Sequence, residues 1–198
     1  QMRQSISKYS TNSNYVTLYT LPAIYLRFAE ALNRAGVPEV GFAVLKYGLS
    51  YETLHFTDKY GQPTQALSDA TYAKLDDIAS RIGVQLAEFS QYQFDRSNTM
   101  GLHSRGCGDV NCDTLFAIPQ LPTLADSVLF VEDLICDEMA LDLSFEGTRF
   151  YDLMRISLHR SDPTFLANKV AERNGKARRD EALFTKLSDQ KNWYLKLE

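Results

Sequence analysis

Two helical segments that follow each other almost directly constrain the fold of this chain more than any other feature. Between Leu21 and Gly36, apolar residues recur at the spacing of one helical face. The residues on this predicted face are Ile24, Phe28, Ala31, Leu32 and Ala35. Pro22 suits the first turn of a helix, and Gly36 suits the position just past its end.

A second helix is predicted to begin at Pro38 and to end near Gly48. Because so few residues separate the two helices, they must pack antiparallel as a helical hairpin. The small side chains of Ala29 and Ala43 would allow the two helices to approach closely. This is the shape of a tetratricopeptide unit, although the chain shows no repeat of that length.

Residues 50–125 have a different character, because glycine, proline, asparagine, aspartate and serine are scattered through them. One helix is predicted here, from about Ser68 to Ile82, and aromatic residues are frequent. A long irregular region inside a compact protein is typical of functional loops. We therefore expect a loop-rich segment that packs on a helical scaffold.

A second strongly periodic segment begins near Asp126, a residue type that caps helix N-termini well. Its predicted core face consists of Val128, Val131, Ile135, Met139 and Leu143. Gly147 predicts a tight corner, and a further helix follows through Phe150 and Ile156. The fold class expected is mainly α, with residues 20–48 and 126–160 as the helical scaffold.

Composition excludes some functions and gives little support to others. The net charge is −4 and the basic residues are dispersed, which argues against nucleic-acid binding. No motif for a metal, a nucleotide or another cofactor is present, and no apolar stretch approaches the roughly 18 residues of a membrane span. The polar start at Gln1 favours a fragment whose N-terminal part is missing, although a processed protein would look the same.

The cysteines divide into one core residue and one possible pair. Cys136 lies in an apolar helical run and is expected in the core. Cys107 and Cys112 lie close together in a predicted loop, and they can form a disulfide if the compartment is oxidising. The sequence leaves that pairing open.

Carboxylates lie beside the apolar face of the helix that starts near Asp126. Charged residues that are exposed to solvent are expected on the opposite face of such a helix. Glu138 and Asp142 fall next to the apolar face, and Glu146 would follow if the helix continued. One interpretation is an acid/base pair like that of a glycoside hydrolase. The interpretation we favour is an ion-pair network, because nearby arginines can bind carboxylates and keep them ionised.

In the favoured interpretation, the network lies around the corner at Gly147. Glu146 and Arg149 are expected to be largely buried and hydrogen-bonded, and Asp152 and Arg155 complete the network. Glu138 belongs to the same structural group. No catalytic residue and no metal ligand is predicted.

The same segment carries a family resemblance. From Glu138 to Arg155 the chain reads EMALDLSFEGTRFYDLMR. It resembles the C-terminal segment of the SusD/RagB family, Glu-Arg-x-x-Glu-Leu-x-Phe-Glu-Gly-x-Arg-Trp/Phe-x-Asp-Leu-x-Arg. The chain departs from this pattern at Met139, where the family usually has Arg, and at Asp142, which is a shortened Glu.

Further segments match in family order. YLRFAEALNRAG from Tyr25 to Gly36 is similar to the family helix that bears Tyr-Leu-x-x-Ala-Glu-Ala. The segment from Leu102 to Gly108 resembles an Arg-Gly stretch found in one branch. Trp193 and Tyr194 resemble the family's C-terminal end. The matched motifs cover about a quarter of the chain.

The resemblance implies that residues 1–198 are the C-terminal part of a SusD-like protein that captures nutrients and is not an enzyme. It implies a lipoprotein on the cell surface, anchored in the outer membrane through an N-terminal lipid. The implied partners are a SusC-like TonB-dependent transporter and an oligosaccharide or, in some members, a peptide. The alternative is a tetratricopeptide-like scaffold for protein–protein interactions.

A weak candidate for ligand contact is the stretch that contains Tyr92, Phe94 and Arg96. It combines aromatic rings with polar groups, as a sugar-binding surface does. The competing interpretation is a short strand whose two aromatic side chains point into the core, because Tyr92 and Phe94 are two residues apart.

Overall fold

A computed structural model of the chain describes residues 20–47, residues 73–74, 77–78 and 80–81, and residues 118–194. Within those ranges every regular element is helical, which confirms the expected mainly-α class. The described positions between 73 and 81 are helical as well, in agreement with the helix expected from Ser68 to Ile82. No helix in the described part is long and apolar enough to cross a membrane.

The first two helices form the expected hairpin. Helix α1 spans Leu21–Arg34 and helix α2 spans Pro38–Tyr47. Gly36 adopts the left-handed conformation with a φ of 85°. The amide of Val37 donates to the carbonyl of Leu32 at 3.2 Å, and the amide of Gly36 donates to Asn33 at 3.0 Å. This is a Schellman motif, which requires a residue that tolerates positive φ just past the helix end.

The face of α1 predicted from periodicity is confirmed at Leu32, which is buried, and at Phe28, which is half-buried against the core, but it is wrong at the other three positions. Ile24 is 50% exposed, and Ala31 and Ala35 are exposed as well. The other buried apolar residues are Tyr25, Leu26 and Ala29, which the predicted face did not include. The physical reason is that α1 packs against two helices, α2 on one side and the helix that follows the loop-rich region on the other. A helix between two neighbours buries a wider arc than one amphipathic stripe.

Helix α3 spans Leu124–Asp142 and begins earlier than predicted. Its N-cap is Thr123, and the Thr123 hydroxyl oxygen accepts a hydrogen bond from the Asp126 amide at 3.1 Å. Asp126 therefore occupies the first turn, where its carboxylate accepts a hydrogen bond from the Thr123 hydroxyl at 2.7 Å. The predicted core face is confirmed at Val131, Ile135, Met139 and Leu143, whereas Val128 is half-buried.

The remaining helices follow α3 closely. Helix α4 spans Arg149–Arg160, α5 spans Pro163–Ala171 and α6 spans Glu181–Leu187, with short 3-10 turns at Lys176–Arg178 and Gln190–Asn192. Asp162 and Asp180 cap α5 and α6, each by accepting a backbone hydrogen bond, at 2.9 Å and 3.0 Å. The scaffold thus continues beyond residue 160, which the apolar periodicity alone did not indicate.

Helix α3 separates two apolar cores. The first core contains buried residues of α1, α2 and one side of α3. The second contains Cys136 of α3 together with residues of α4, α5 and α6, and Trp193 closes it. Cys136 is fully buried with a free thiol, as the sequence predicted.

The closest approach in the hairpin occurs at Gly41 of α2. Ala29 and Ala43 are both buried, as expected for small residues between the two helices. A Cβ atom at Gly41 would lie 2.8 Å from the Ala29 carbonyl oxygen and 3.1 Å from Asn33 Cβ. Glycine is therefore required by packing, although it weakens an isolated helix.

Gly41→Ala tests this conclusion because helix propensity and packing predict opposite signs. Propensity alone would stabilise the variant by about 1 kcal/mol, whereas the overlap with backbone atoms of α1 should destabilise it by roughly 1–3 kcal/mol. We expect a net loss in the free energy of unfolding, measured by urea denaturation. Gly147→Ala is the control, because a Cβ there meets no atom within 4 Å and only its left-handed φ of 76° adds a cost. A stabilised Gly41→Ala variant would contradict the close approach.

Candidate functional site

Three buried acids, one on each of α1, α3 and α4, form the centre of a cluster of charges. Glu30, Glu132 and Asp152 are 3%, 4% and 1% exposed. A buried carboxylate without partners costs several kcal/mol or more. Each of these acids is accordingly in contact with arginine side chains.

Glu30 of α1 is bound by arginines from two helices. Arg34 Nη2 lies 2.7 Å from Glu30 Oε1, and Arg27 Nη1 lies 3.5 Å from Oε2. Arg155 of α4 also donates to Glu30 Oε1. Burial raises the pKa of Glu30 to about 6, and the charges of Arg34 and Arg27 oppose that rise. The arginines thus favour the ionised form of Glu30, whereas burial favours the protonated form.

The same arginines extend the cluster to the other two acids. Arg34 Nε donates to Glu132 Oε1 at 2.9 Å, and Arg160 Nε donates to Glu132 Oε2 at 2.5 Å. Arg160 also binds the exposed Asp133 at 2.8 Å. Asp152 accepts hydrogen bonds from Arg27 and, at 3.4 Å, from Arg155.

We call this cluster the charge layer. Its members are Arg27, Glu30, Arg34, Glu132, Asp133, Asp152, Arg155 and Arg160. Each of its four acids contacts at least one of its four arginines, so the layer is neutral when all are ionised. The acids Glu30, Glu132 and Asp152 are buried, whereas the arginines reach partly into solvent. Such an arrangement joins three helices by side chains, and of its four acids only Asp133 is exposed.

The residues of the predicted network lie at several places around this layer. Asp152 and Arg155 belong to it and contact each other. Arg149 Nη1 donates to the Cys136 carbonyl at 2.6 Å and therefore ties the start of α4 to α3. Glu146 is half-buried and accepts a hydrogen bond from the Thr20 hydroxyl at 3.4 Å, which links the corner to the start of α1.

Glu138 and Asp142 lie on the buried side of α3, one turn apart. They are 7% and 6% exposed. Burial, and then the charge of Asp142, raises the pKa of Glu138 to about 7. The expectation that nearby arginines keep both acids ionised is therefore wrong in direction for Glu138. A pKa near 7 suits a general acid, but the burial that raises it also shields the carboxyl from any substrate.

Sequence reasoning placed only Asp152 and Arg155 in this network. It missed six members of the charge layer: Arg27, Glu30, Arg34, Glu132, Asp133 and Arg160. A signal for one of them was present, because Glu132 lies one helical turn before the buried Cys136. An acid at that position on a buried face needs a cationic partner. The identity of that partner could not be read from the sequence, since Arg34 and Arg160 are on other helices.

Two exposed aromatic side chains lie at the corner between α3 and α4. Phe145 is 87% exposed and Tyr151 is 71% exposed. Phe145 also has a φ of 67°, a conformation that bulky residues rarely adopt. A sugar ring can stack on exposed aromatic rings of this kind.

The weak ligand-contact candidates Tyr92, Phe94 and Arg96 lie outside the described residues, and so do Cys107 and Cys112. In the described ranges, no three His, Cys, Asp or Glu side chains are grouped as they would be to hold a metal ion.

The sequence profile of the SusD family matches residues 2–196. The chain belongs to the SusD family. Its motifs between Glu138 and Arg155 and between Tyr25 and Gly36 therefore have the family origin that their resemblance indicated. Comparison with curated proteins and with solved structures gives no match.

Proteins of the SusD family are binding proteins rather than enzymes. The family implies nutrient binding, typically of glycans, in association with the outer membrane. The structure adds that the two most characteristic motifs meet physically: Glu30 of one motif contacts Arg155 of the other. The charge layer is thus the contact through which both motifs hold the SusD-family scaffold together.

Glu30→Gln tests the energetic role of the charge layer. The substitution removes the negative charge that Arg27, Arg34 and Arg155 bind, but it also removes the cost of burying that charge, which raises the pKa of Glu30 to about 6. Since breaking a buried ion pair from one side costs about 3–5 kcal/mol, we expect a net loss in the free energy of unfolding that is smaller than this. Asp137→Asn is the matched control, because Asp137 pairs with Lys169 on the surface, where such pairs contribute about 1 kcal/mol or less. Equal losses in the two variants, measured by urea denaturation, would show that burial of the layer has no special effect.

Glu138 makes a prediction about pH. Its folded pKa of about 7 exceeds the ordinary value of 4.5, so the folded state binds the proton more tightly. The stability that this group contributes is therefore present below about pH 4.5 and is lost as the pH rises through 7. Glu138→Gln removes this titration. As the pH rises from 5 to 8, the free energy of unfolding of the variant should therefore increase relative to that of the wild type by roughly 2–3 kcal/mol.

Thermal melts of both proteins across this pH range provide the measurement. Asp137→Asn again serves as the control, because Asp137 is the exposed neighbour of Glu138 on the same helix. Parallel pH profiles for the wild type and Glu138→Gln would refute the raised pKa.

Proposed function

We propose that this protein captures a nutrient, in the first place an oligosaccharide, and delivers it to a SusC-like TonB-dependent transporter without any catalysis. The observation that carries the proposal is the match to the SusD family across residues 2–196. A peptide is the second ligand class within the same function. The protein would act as a surface lipoprotein of the outer membrane, with residues 1–198 as the C-terminal part of the SusD-like domain.

The charge layer supports a binding role over a catalytic one. An acid/base mechanism needs two carboxyl groups that both reach a substrate. Here Glu30, Glu132 and Asp152 are buried and bound by arginines. The ion pairs of these acids hold the helices in fixed positions relative to each other, as a rigid binding scaffold requires.

Two surfaces are proposed for ligand contact. The first is the stretch with Tyr92, Phe94 and Arg96, which combines stacking groups with a hydrogen-bond donor. The second is the corner between α3 and α4, where Phe145 and Tyr151 expose their rings. Because the Phe145 side chain is exposed, burial contributes little to its stability at a strained φ. Strained backbone conformations of this kind occur often at functional sites.

Isothermal titration with a panel of oligosaccharides and peptides tests the function and locates the surface. Loss of one stacking ring should weaken binding by about ten-fold, or roughly 1.4 kcal/mol. We expect this effect from Tyr92→Ala, or from Phe145→Ala and Tyr151→Ala, with unchanged melting temperatures. Tyr194→Ala is the matched control, since Tyr194 is a 60% exposed aromatic residue that follows α6 in the chain and belongs to neither proposed surface.

Other outcomes would contradict the proposal in distinguishable ways. Hydrolysis of an oligosaccharide that is lost in Glu146→Gln at an unchanged melting temperature would identify a catalytic carboxylate. Loss of stability in Tyr92→Ala with unchanged binding would place Tyr92 in the core. Failure of every ligand to bind, together with tight binding of a protein partner to the α1–α2 hairpin, would favour a tetratricopeptide-like interaction scaffold.

A further inference from the structure

The segment between α5 and α6 is a closed surface loop. We call residues 172–180 the basic loop. The amide of Asp180 donates to the carbonyl of Ala171 at 3.1 Å, so the two ends of the loop are held together. Within it, the Gly175 amide donates to Glu172 at 2.7 Å and the Arg178 amide donates to Gly175 at 2.9 Å. Compact loops with joined ends are frequently functional.

The acidic residues at the base of the basic loop are occupied by structural contacts. Arg179 lies 3.3 Å from Glu172 and 2.9 Å from Glu181. Its guanidinium also stacks over the ring of Phe184, 4.0 Å from the ring centre. The Asp180 carboxylate accepts the hydrogen bond that caps α6. These acids therefore do not neutralise the cations at the tip.

The tip of the basic loop carries three exposed cations, Arg173, Lys176 and Arg178. Across the parts of the chain that the structure describes, none of the three forms an ion pair. The chain as a whole has a net charge of −4, so the tip is a local patch of opposite sign. Its other residues are Asn174, Gly175 and Ala177, and all six are exposed.

We propose that the basic loop docks onto an anionic lipid surface through the phosphates of the headgroups. The anchors at the centre of protein–protein interfaces are aromatic and apolar side chains together with Arg, and the tip of this loop has two arginines but no aromatic residue and no apolar residue larger than Ala177. A surface of lipid phosphates needs no such anchor, because each Lys or Arg near it contributes separately to binding. The proposal rests on the proposed function, which places the protein at the outer membrane.

In this arrangement the loop orients the protein on the membrane. Three cations alone bind weakly at physiological ionic strength, because the Debye length is only about 8 Å. Combined with a lipid anchor they provide a second attachment, and two attachments fix which side of the scaffold faces the bilayer. The corner with Phe145 and Tyr151 belongs to other elements and would remain available to the ligand.

Vesicle sedimentation tests the docking. The chain is mixed with vesicles of phosphatidylcholine alone, or of phosphatidylcholine with phosphatidylglycerol, at low and at physiological salt. The double variant Arg173→Gln/Arg178→Gln is compared with Lys186→Gln/Lys191→Gln, which loses the same charge from exposed positions outside the loop. We expect the loop variant to partition about 30-fold less onto the anionic vesicles and the control to change less than about three-fold.

Several results would overturn the proposal. These are equal losses in both double variants, equal binding to the two kinds of vesicle, or binding that does not weaken as salt rises. Competition by dissolved inorganic phosphate at constant ionic strength would point to a site for the free anion instead of a lipid surface. If the loop variant lost binding to an acidic protein but bound vesicles as the wild type does, the partner of the loop would be a protein and not a lipid surface.

The test is separable from that of the proposed function. Circular dichroism and thermal melts establish that both double variants are folded. Oligosaccharide titration of the same preparations should give unchanged affinities, because the basic loop carries no stacking group. Vesicle docking by a chain that binds no nutrient would contradict only the capture function, whereas nutrient binding without docking would contradict only this inference.

Discussion

The contact of Glu30 with three arginines is the interaction on which the rest of the described structure depends. Arg27 and Arg34 come from the same helix, and Arg155 comes from α4, beyond a long stretch of chain. In the described part, α1 packs against α2 and α3, α2 against α3, α4 against α3 and α5, and α5 against α6, whereas α1 and α4 are not among the closely packed pairs. Long arginine side chains therefore make the link between α1 and α4. Because the acids are buried, removal of one partner leaves a charge that water cannot easily solvate. The layer consequently favours one relative placement of the helices over others that would bury similar apolar area.

Helix α3 is the element that makes this placement possible. One side of it contributes Val131, Ile135 and Met139 to the first apolar core, and Cys136 on another side belongs to the second core. Glu132 lies between these two sides and binds Arg34 and Arg160. The ionic contacts thus run between two apolar regions, where they are shielded from solvent at their acidic ends.

Much of the fold followed from local chemistry. The end of α1 at Gly36, the core face of α3 and the burial of Cys136 were all predicted, because each depends on neighbours within a few residues along the chain. The acids Glu138 and Asp142 were also placed correctly on a buried side of their helix. The predictions failed where a second helix decided the outcome. Periodicity gave one face for α1, but α2 and α3 together bury one that coincides with it only in part. An aspartate was expected to cap α3, whereas a threonine three residues earlier competes for that role and wins.

The sequence by itself determined that the chain is helical, which residues begin and end the first hairpin, and to which family it belongs. The helices and their ends are set by hydrogen bonds and side-chain preferences within one or two helical turns. The family is recognised from motifs in the sequence itself. Only the tertiary structure decided which carboxylates are paired and which cations stay free. Glu30 and Arg155 are brought together by packing, and no spacing in the sequence encodes that distance. In the same way, the run from Lys176 to Glu181 reads as a mixture of three cations and two acids with little net charge. The fold assigns Arg179 to the nearby acids and leaves Arg173, Lys176 and Arg178 exposed, because side chains pair according to direction in space and not according to order in the chain.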